Sequence, residues 1–272
     1  MGRGIRARPV GSHRGIRRIL IRVDLNADIG ESSVSDEGAN DALLVNYVTS
    51  GSIACGFHAG DPSVMRHTVR LAAPAGIAIG AHPGVADRAG FGRRDIEATP
   101  EEIADLVLYQ IGALSAVAKA EGLRLQHVKP HGALYNMSVR RRDVAEAVAR
   151  AVASFDDTLL LVGLPGSELL AAGSRFGLRV VGEGFADRTY EPDGSLTPRN
   201  VAGAVLNDPV LAAERAVRMV KAKTVVARDG SSLSLTVDTI CVHGDTKDAA
   251  NIASAVRRGL EQSGVTVTRF ER

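Results

Sequence analysis

The chain has 272 residues, of which 45% are hydrophobic, 24% charged and 4% aromatic, with a formal net charge of +2 at pH 7. This composition is typical of a folded globular protein, and the length fits a single large α/β domain. No apolar run approaches the roughly 20 residues of a membrane-spanning helix, and no secretory signal is visible. We therefore expect a cytoplasmic protein without a membrane partner.

The positive charge is concentrated in the first 18 residues, which contain six arginines and no acid. The remainder has 27 basic against 31 acidic residues, so we expect no nucleic-acid partner. We predict a disordered basic tail over residues 1–18 and a single catalytic domain over residues 19–272. A nucleic-acid contact and a transit peptide are the alternatives for the tail.

From Ile19 onward, short β-branched runs alternate with stretches of helical period, as in a parallel sheet covered by helices. The predicted strands are Ile19–Asn26, Gly51–Gly56, Gly76–Ala81, Leu125–Pro130, Leu159–Gly163, Leu178–Glu183 and Thr239–Val242. The predicted helices are Asn40–Val48, Pro62–Ala73, Pro100–Gly122, Ser138–Ser154, Ser167–Phe176, Pro209–Ala222 and Thr246–Ser263. A hairpin is predicted over Arg228–Val237. Periodicity alone leaves open a doubly wound sheet or a closed barrel.

Polar residues follow six of the seven predicted strands. They are Asp24 to Asp28, His58, His82, Lys129 to His131, Glu183 with Asp187, and His243 to Asp245. The carboxyl ends of parallel strands form the active-site face in both candidate folds, so these clusters predict one site.

Asp24, Asn26 and Asp28 alternate along the end of the first strand and are expected to project together. Their oxygens suit a divalent cation, and two carboxylates could also divide into an acid and a base. The alternative is that Asp24 or Asp28 caps the following turn.

His58, His82 and His131 follow three consecutive predicted strands, which favours a shared function over three structural histidines. With a first-strand carboxylate, two of them would form an Asp-His-His metal site, for which Asp28, His58 and His131 are the candidates. Lys129 is expected to bind a substrate carboxylate or stabilise an oxyanion, or else to form a salt bridge with Asp24 or Asp28.

Two further loops carry candidate substrate-binding residues. Arg93 and Arg94 lie in a glycine-rich loop, where guanidinium groups suit a carboxylate or phosphate, or are simply solvated. Asp187 and Arg188 begin a second polar loop, expected to be a lid or a partner surface. The chain has neither a GxxxxGK[ST] nor a GxSxG sequence, and its two cysteines lie in apolar runs. A self-contained nucleotide site and a serine or cysteine hydrolase are therefore not expected.

The same segments resemble the signature blocks of the LamB/YcsF family, in the same order along the chain. They are the runs at residues 24–32, 54–62, 80–84, 90–94, 127–136, 185–188 and 241–246. The resemblance implies a seven-stranded β/α barrel of the glycoside hydrolase/deacetylase type. It also implies participation in an ATP-dependent 5-oxoprolinase with separate subunits B and C, in which 5-oxo-L-proline is cleaved to L-glutamate and ATP is a co-substrate of the complex.

Carried onto this sequence, the resemblance assigns catalytic positions to Asp28, His58, His82, Lys129, His131 and Asp245. Substrate contacts are expected from Asn26, Glu31, Arg93, Arg94, Asp187, Arg188 and His243. Two other functions stay open at this point: a metal-dependent carbohydrate deacetylase, and a non-catalytic protein that binds the lactam for its partners. Converging histidines and carboxylates favour an enzyme over a scaffold.

Overall fold

The computed structural model describes residues 21–31, 38–246 and 248–270. Its strands are β1 (Ile21–Ile29), β2 (Ser50–Ala54), β3 (Ala78–His82), β4 (Leu125–Val128), β5 (Leu160–Gly163), β6 (Val180–Phe185), β7 (Thr224–Val226), β8 (Ser232–Ser234), β9 (Thr239–His243) and β10 (Val265–Val267). Its helices are α1 (Gly38–Leu44), α2 (Pro62–Ala75), α3 (Pro100–Ala120), α4 (Gly132–Arg140), α5 (Arg142–Phe155), α6 (Glu168–Arg175), α7 (Pro209–Ala222) and α8 (Ala249–Gln262). The tail predicted over residues 1–18 lies outside the described residues.

Seven parallel strands form a closed barrel. Strands β1 to β6 pair in chain order, β6 pairs with β9, and β9 returns to β1. The closing register aligns Asp24 with Thr239 and Asp28 with His243. The predicted seven-stranded β/α barrel is confirmed, and the β1–β9 pairing resolves the choice that periodicity left open.

Successive side chains of strand β1 point alternately to the hydrophobic core and to the polar interior of the barrel. Leu25, Ala27 and Ile29 are fully buried in the hydrophobic core. The alternate side chains of Asp24, Asn26 and Asp28 contact residues of other barrel strands or the loops that follow them. The predicted common projection of these three residues is confirmed, and it places polar groups inside the barrel.

Helix starts follow the predicted sequence signals. Thr99 forms a capping box with Glu102, and Pro100 occupies the first turn of α3. Asp208 caps α7 by accepting hydrogen bonds from the backbone N–H groups of Val210 and Leu211. These caps fix the outer helices relative to the strands that carry the site.

Several predicted elements need correction. The single helix predicted over Ser138–Ser154 is two helices, because Arg141 takes an extended conformation (φ −100°, ψ 110°) between α4 and α5. The hairpin is confirmed, but its paired residues are Thr224–Val226 and Ser232–Ser234, so its first strand precedes the predicted range. Strand β10, which sequence analysis missed, pairs in parallel with the first three residues of β1.

Among the described residues, helix α3 has the length and the apolar composition that crossing a membrane would require. Its residues Ile103, Val107, Ile111 and Leu114 are buried in the core. A helix that packs one apolar face against the core of a globular barrel can have the same length and composition. We therefore assign α3 to the outer helical layer of the barrel.

Candidate active site

A cleft of about 890 Å³ opens at the carboxyl ends of the barrel strands. Its floor includes Asp28, His82, Lys129, His131 and Glu183, which come from four strands or the residues directly after them. The loop after β6 supplies much of the opposite wall, including Arg188 and Arg199. The polar clusters predicted to meet on one face do meet there.

Lys129 is the central cation of the floor and is only 2% exposed. Its Nζ lies 2.5 Å from Asp28 Oδ1 and 3.0 Å from Glu183 Oε1, and it donates to Asn26 Oδ1 at 3.0 Å. Burial opposes the charge, but Asp28, Cys241 and Glu183 together outweigh it, so the pKa of Lys129 lies well above its usual value. The lysine is therefore a fixed ammonium at the cleft.

His82 and His131 have their tautomers fixed by backbone carbonyls. Nδ1 of His82 lies 2.7 Å from Lys129 O, and Nε2 of His131 lies 2.8 Å from Phe91 O. A carbonyl oxygen only accepts, so each of these nitrogens carries a hydrogen. The remaining nitrogens, Nε2 of His82 and Nδ1 of His131, face each other at 3.0 Å.

Glu31 and His58 complete this group beneath the cleft. Glu31 Oε1 lies 3.1 Å from Nδ1 of His131 and 3.2 Å from Nε2 of His58. The rings of His58 and His131 are stacked, with centroids 3.7 Å apart. Burial lowers the pKa of His58 to about 4, so this imidazole is neutral at physiological pH.

On the other side of Asp28, Asp187 orients His243. The Asp187 side chain is completely buried, and its Oδ1 lies 2.9 Å from Nδ1 of His243. It also accepts hydrogen bonds from the hydroxyl of Thr246 and the backbone N–H of His243. Burial alone would raise the pKa of Asp187, but the charge of His243 and the hydrogen bonds from His243 and Thr246 together outweigh it, and the pKa is lowered. A charged Asp187 keeps the proton of His243 on Nδ1 and leaves Nε2 to exchange protons.

Arginines border the rim of the cleft. Arg93 forms an ion pair with Asp245, and Arg199 Nη2 lies 3.6 Å from Asp245 Oδ1. Arg188 is 6% exposed and donates through Nη2 to Thr197 O at 2.6 Å. Burial lowers its pKa to about 10, which still leaves it charged at neutral pH. These guanidinium groups suit an anionic substrate group.

Asp24 occupies the barrel interior on the far side of Asn26 from Asp28. It accepts hydrogen bonds from the hydroxyls of Thr49, Ser50 and Thr239, and Thr239 also accepts from Asn26 Nδ2. Burial raises the pKa of Asp24 to about 6 despite these donors. Through the hydroxyl of Thr239, the carboxyl group of Asp24 is connected to Asn26, which in turn accepts a hydrogen bond from Lys129.

Replacing Asp24 by Asn tests this buried carboxyl group. A pKa raised from 3.8 to about 6 means that the folded state holds the proton of Asp24 more tightly than the unfolded state does. The contribution of the protonated carboxyl group to the free energy of unfolding is therefore fully present below pH 4 and is lost as the pH rises through 6. The free energy of unfolding of the wild type, relative to Asp24→Asn, should fall by on the order of 2–3 kcal/mol across that window. Urea unfolding at several pH values measures it. The exposed Asp157→Asn should behave like the wild type, and a pH-independent difference for Asp24→Asn would contradict the assignment.

Comparison with known proteins identifies the relatives of this barrel. The LamB/YcsF family model matches residues 23–272. The chain belongs to the LamB/YcsF family. A relative from Bacillus licheniformis, named as the A subunit of 5-oxoprolinase, is 52% identical over 249 residues, covering 92% of this chain and 98% of the relative. One of the same name from Pyrococcus furiosus is 51% identical over 247 residues, covering 91% and 97%. The crystal structure of a lactam utilization protein from Thermus thermophilus is 49% identical, with a TM-score of 0.85, and the match covers 92% of this chain and 100% of that one.

Most of the predicted site residues of this LamB/YcsF chain are brought together. Those that line the cleft are Asp28, His82, Arg93, Lys129, His131, Arg188 and His243. Asn26, Glu31, His58 and Asp187 lie behind them, each within hydrogen-bonding distance of another predicted residue. Asp245 lies at the rim as the partner of Arg93 and Arg199.

Arg94 does not join the cleft. Its side chain is 68% exposed and pairs with Asp87 within its own loop, so it organises the loop that carries Phe91 and Arg93. The predicted metal set of Asp28, His58 and His131 also differs from the gathered ligands, which are Glu31, His58, His82 and His131. Asp28 instead contacts Lys129 through Oδ1 at 2.5 Å, and its Oδ2 lies 3.4 Å from Nε2 of His82.

Sequence analysis gave no individual role to Glu183, Tyr135 or Arg199, and all three line the cleft. Glu183 was already part of the polar face predicted at the strand ends. Tyr135 lies inside the family block at residues 127–136, but it comes from α4, whose first turns were not predicted as helix.

Proposed function

We propose that this chain is the A subunit of an ATP-dependent 5-oxoprolinase, in which it contributes the site that opens the lactam ring of 5-oxo-L-proline. The observation that carries the proposal is the 52% identity, over 92% of the chain, to a relative named as the A subunit of 5-oxoprolinase. The geometry of the cleft supports it, because the floor offers a fixed cation and an oriented histidine, and the rim offers arginines.

Ring opening adds one water across the C–N bond of the lactam. The water oxygen becomes part of the new carboxylate, and a proton goes to the departing nitrogen. In this proposal the Lys129 ammonium, which lines the cleft, stabilises negative charge on the lactam oxygen. His243, whose Nδ1 is held by Asp187, transfers the protons. Arg93, Arg188 and Arg199 provide positive charge for the substrate carboxylate.

ATP enters this proposal as a co-substrate of the complex with subunits B and C. A lactam resists hydrolysis because its amide is resonance-stabilised, and transfer of the γ-phosphoryl group of ATP to the lactam oxygen would release ADP and activate the carbonyl carbon. Water would then add to this carbon, the ring nitrogen would leave with a proton to give an acyl phosphate, and a second water would hydrolyse the acyl phosphate to glutamate and phosphate. The chain has no GxxxxGK[ST] sequence, which supports assigning the nucleotide to the assembly. A cytoplasmic location fits the two buried free thiols of Cys55 and Cys241.

Reconstitution tests the proposal. The purified chain is combined with its partner subunits B and C, 5-oxo-L-proline and ATP, and L-glutamate and ADP are measured. We expect glutamate to form at the full rate when all three subunits are present and to be at background when this chain is omitted. An equal glutamate yield without this chain would contradict the proposal.

The same preparation distinguishes the other functions. Release of acetate from acetylated sugars, without glutamate from oxoproline, would identify a carbohydrate deacetylase. Glutamate formation that needs this chain but survives changes at Lys129 and His243 would identify a non-catalytic, substrate-positioning protein. Both results would contradict the catalytic role proposed here.

A further inference from the structure

Two histidines of the cluster under the cleft, His82 and His131, present electron pairs to a common point. Because backbone carbonyls hold the hydrogens of Nδ1 of His82 and Nε2 of His131, the two nitrogens that face each other at 3.0 Å are both lone-pair donors when the rings are neutral. Two such nitrogens repel unless a proton or a metal ion lies between them. Fixing the far N–H of a histidine on a carbonyl is also how proteins orient metal-binding imidazoles.

The charge of Glu31 gives an independent reason for a cation. Its side chain is 8% exposed, and within the described part of the chain its ionic partners are the imidazoles of His58, His82 and His131. A buried carboxylate is costly without a compensating positive charge. The nearest fixed ammonium, that of Lys129, is already paired with Asp28 and Glu183.

The separations of the donor atoms fit one small ion. The distances between the donors are 3.0 Å from His82 to His131, 3.1 Å from His131 to Glu31 and 3.7 Å from His82 to Glu31. Tetrahedral zinc with bonds of about 2.0–2.1 Å places its ligand atoms about 3.3 Å apart. These three separations therefore match the spacing of ligands around one zinc ion.

We propose that Glu31, His82 and His131 bind one divalent transition-metal ion, with zinc as the best match to imidazole and carboxylate ligands. The ring of His58 is stacked on that of His131 with centroids 3.7 Å apart, so its in-plane electron pair does not point to the same ion, and His58 instead contacts Glu31 at 3.2 Å. His82 and His131 also line the cleft, so the ion would lie at its floor. A second group of potential ligands, Asp28, Cys241 and His243, is not proposed as a metal site. The Lys129 ammonium already lies 2.5 Å from Asp28 Oδ1 and 3.3 Å from Cys241 Sγ, and it would repel a metal ion.

Metal binding is measured on the isolated chain, without ATP, oxoproline or partner subunits, so its outcome is independent of the proposed function. The protein is stripped with a chelator, and Zn²⁺ is then titrated against a chromophoric competitor, with elemental analysis after dialysis. We expect one zinc per chain and a higher Tm in the presence of zinc. Cobalt substitution should give the visible absorption of a tetrahedral site with nitrogen and oxygen ligands.

Single variants separate this site from others. His82→Ala and His131→Ala should each weaken zinc binding by more than the roughly 10–100-fold typical of outer-shell changes, and Glu31→Gln should weaken it as well. Circular dichroism establishes that each variant is folded, and zinc should no longer raise its Tm. His67→Ala on exposed α2 and Cys241→Ser should bind zinc like the wild type.

Two results would overturn the proposal. One is a wild-type chain that binds less than about a tenth of an equivalent of zinc or cobalt after reloading. The other is binding that survives in folded His82→Ala and His131→Ala but is lost in Cys241→Ser, which would place the ion in the second group.

Discussion

Replacing Lys129 by Met is expected to lower glutamate formation by the reconstituted complex at least about 1,000-fold. The methyl thioether retains most of the side-chain volume but removes the ammonium that lies 2.5 Å from Asp28 and 3.0 Å from Glu183. The variant should also be less stable by about 3–5 kcal/mol, because two buried carboxylates lose their cation. Glutamate assays and urea unfolding measure the two effects.

A compensated variant separates catalysis from stability. Adding Asp28→Asn and Glu183→Gln to Lys129→Met removes the stranded negative charges, so much of the lost stability should return. Activity should not return, since the cation at the cleft is still missing. Lys221→Met, at an exposed position on α7, is the matched control and should be fully active. If activity recovers together with stability, Lys129 acts only as a structural cation.

The barrel was largely predictable because its signals are local. Each strand is a short apolar run followed by polar residues, and the helix starts at Thr99 and Asp208 depend on neighbouring residues. Closure was not predictable from periodicity, because it depends on the pairing of β1 with β9 across more than 200 residues. The split between α4 and α5 was missed because its cause is the backbone conformation of Arg141, a residue compatible with a helix.

The residues of the site were predictable from the sequence, but the contacts between their side chains were not. Placement after the strands identified Asp28, Lys129 and His131, and a salt bridge of Lys129 with Asp24 or Asp28 was one of the predicted alternatives. The sequence could not choose between those two acids, and it gave no sign that Glu31 lies against His131. Those contacts depend on side-chain directions that only the closed barrel defines. Arg93 and Arg94 illustrate the same limit, since neighbours in sequence point to the cleft and to Asp87 respectively.

The floor of the cleft combines the fixed cation Lys129 with the proposed proton-transferring pair of His243 and Asp187. We expect the second large effect from a change at His243. A ring nitrogen of His243 lies within 4.8 Å of a carboxylate oxygen of Asp28, and Nδ1 is held by Asp187. Replacing His243 by Ala should lower kcat for glutamate formation by about 10²–10⁴ with little change in KM, because general acid–base transfer acts on the transition state. Steady-state kinetics of the reconstituted complex measure both constants.

Asp187→Asn should reproduce the loss in kcat while His243 is still present. The neutral amide no longer favours the hydrogen on Nδ1 of His243, so the ring loses its fixed tautomer and orientation. Added imidazole should partly restore activity to His243→Ala but not to Asp187→Asn, where the native ring occupies the space. The exposed His67→Ala is the matched control for removal of an imidazole. A rise in KM at unchanged kcat in either variant would instead make this pair a substrate-binding element, and proton transfer would then fall to another residue of the floor.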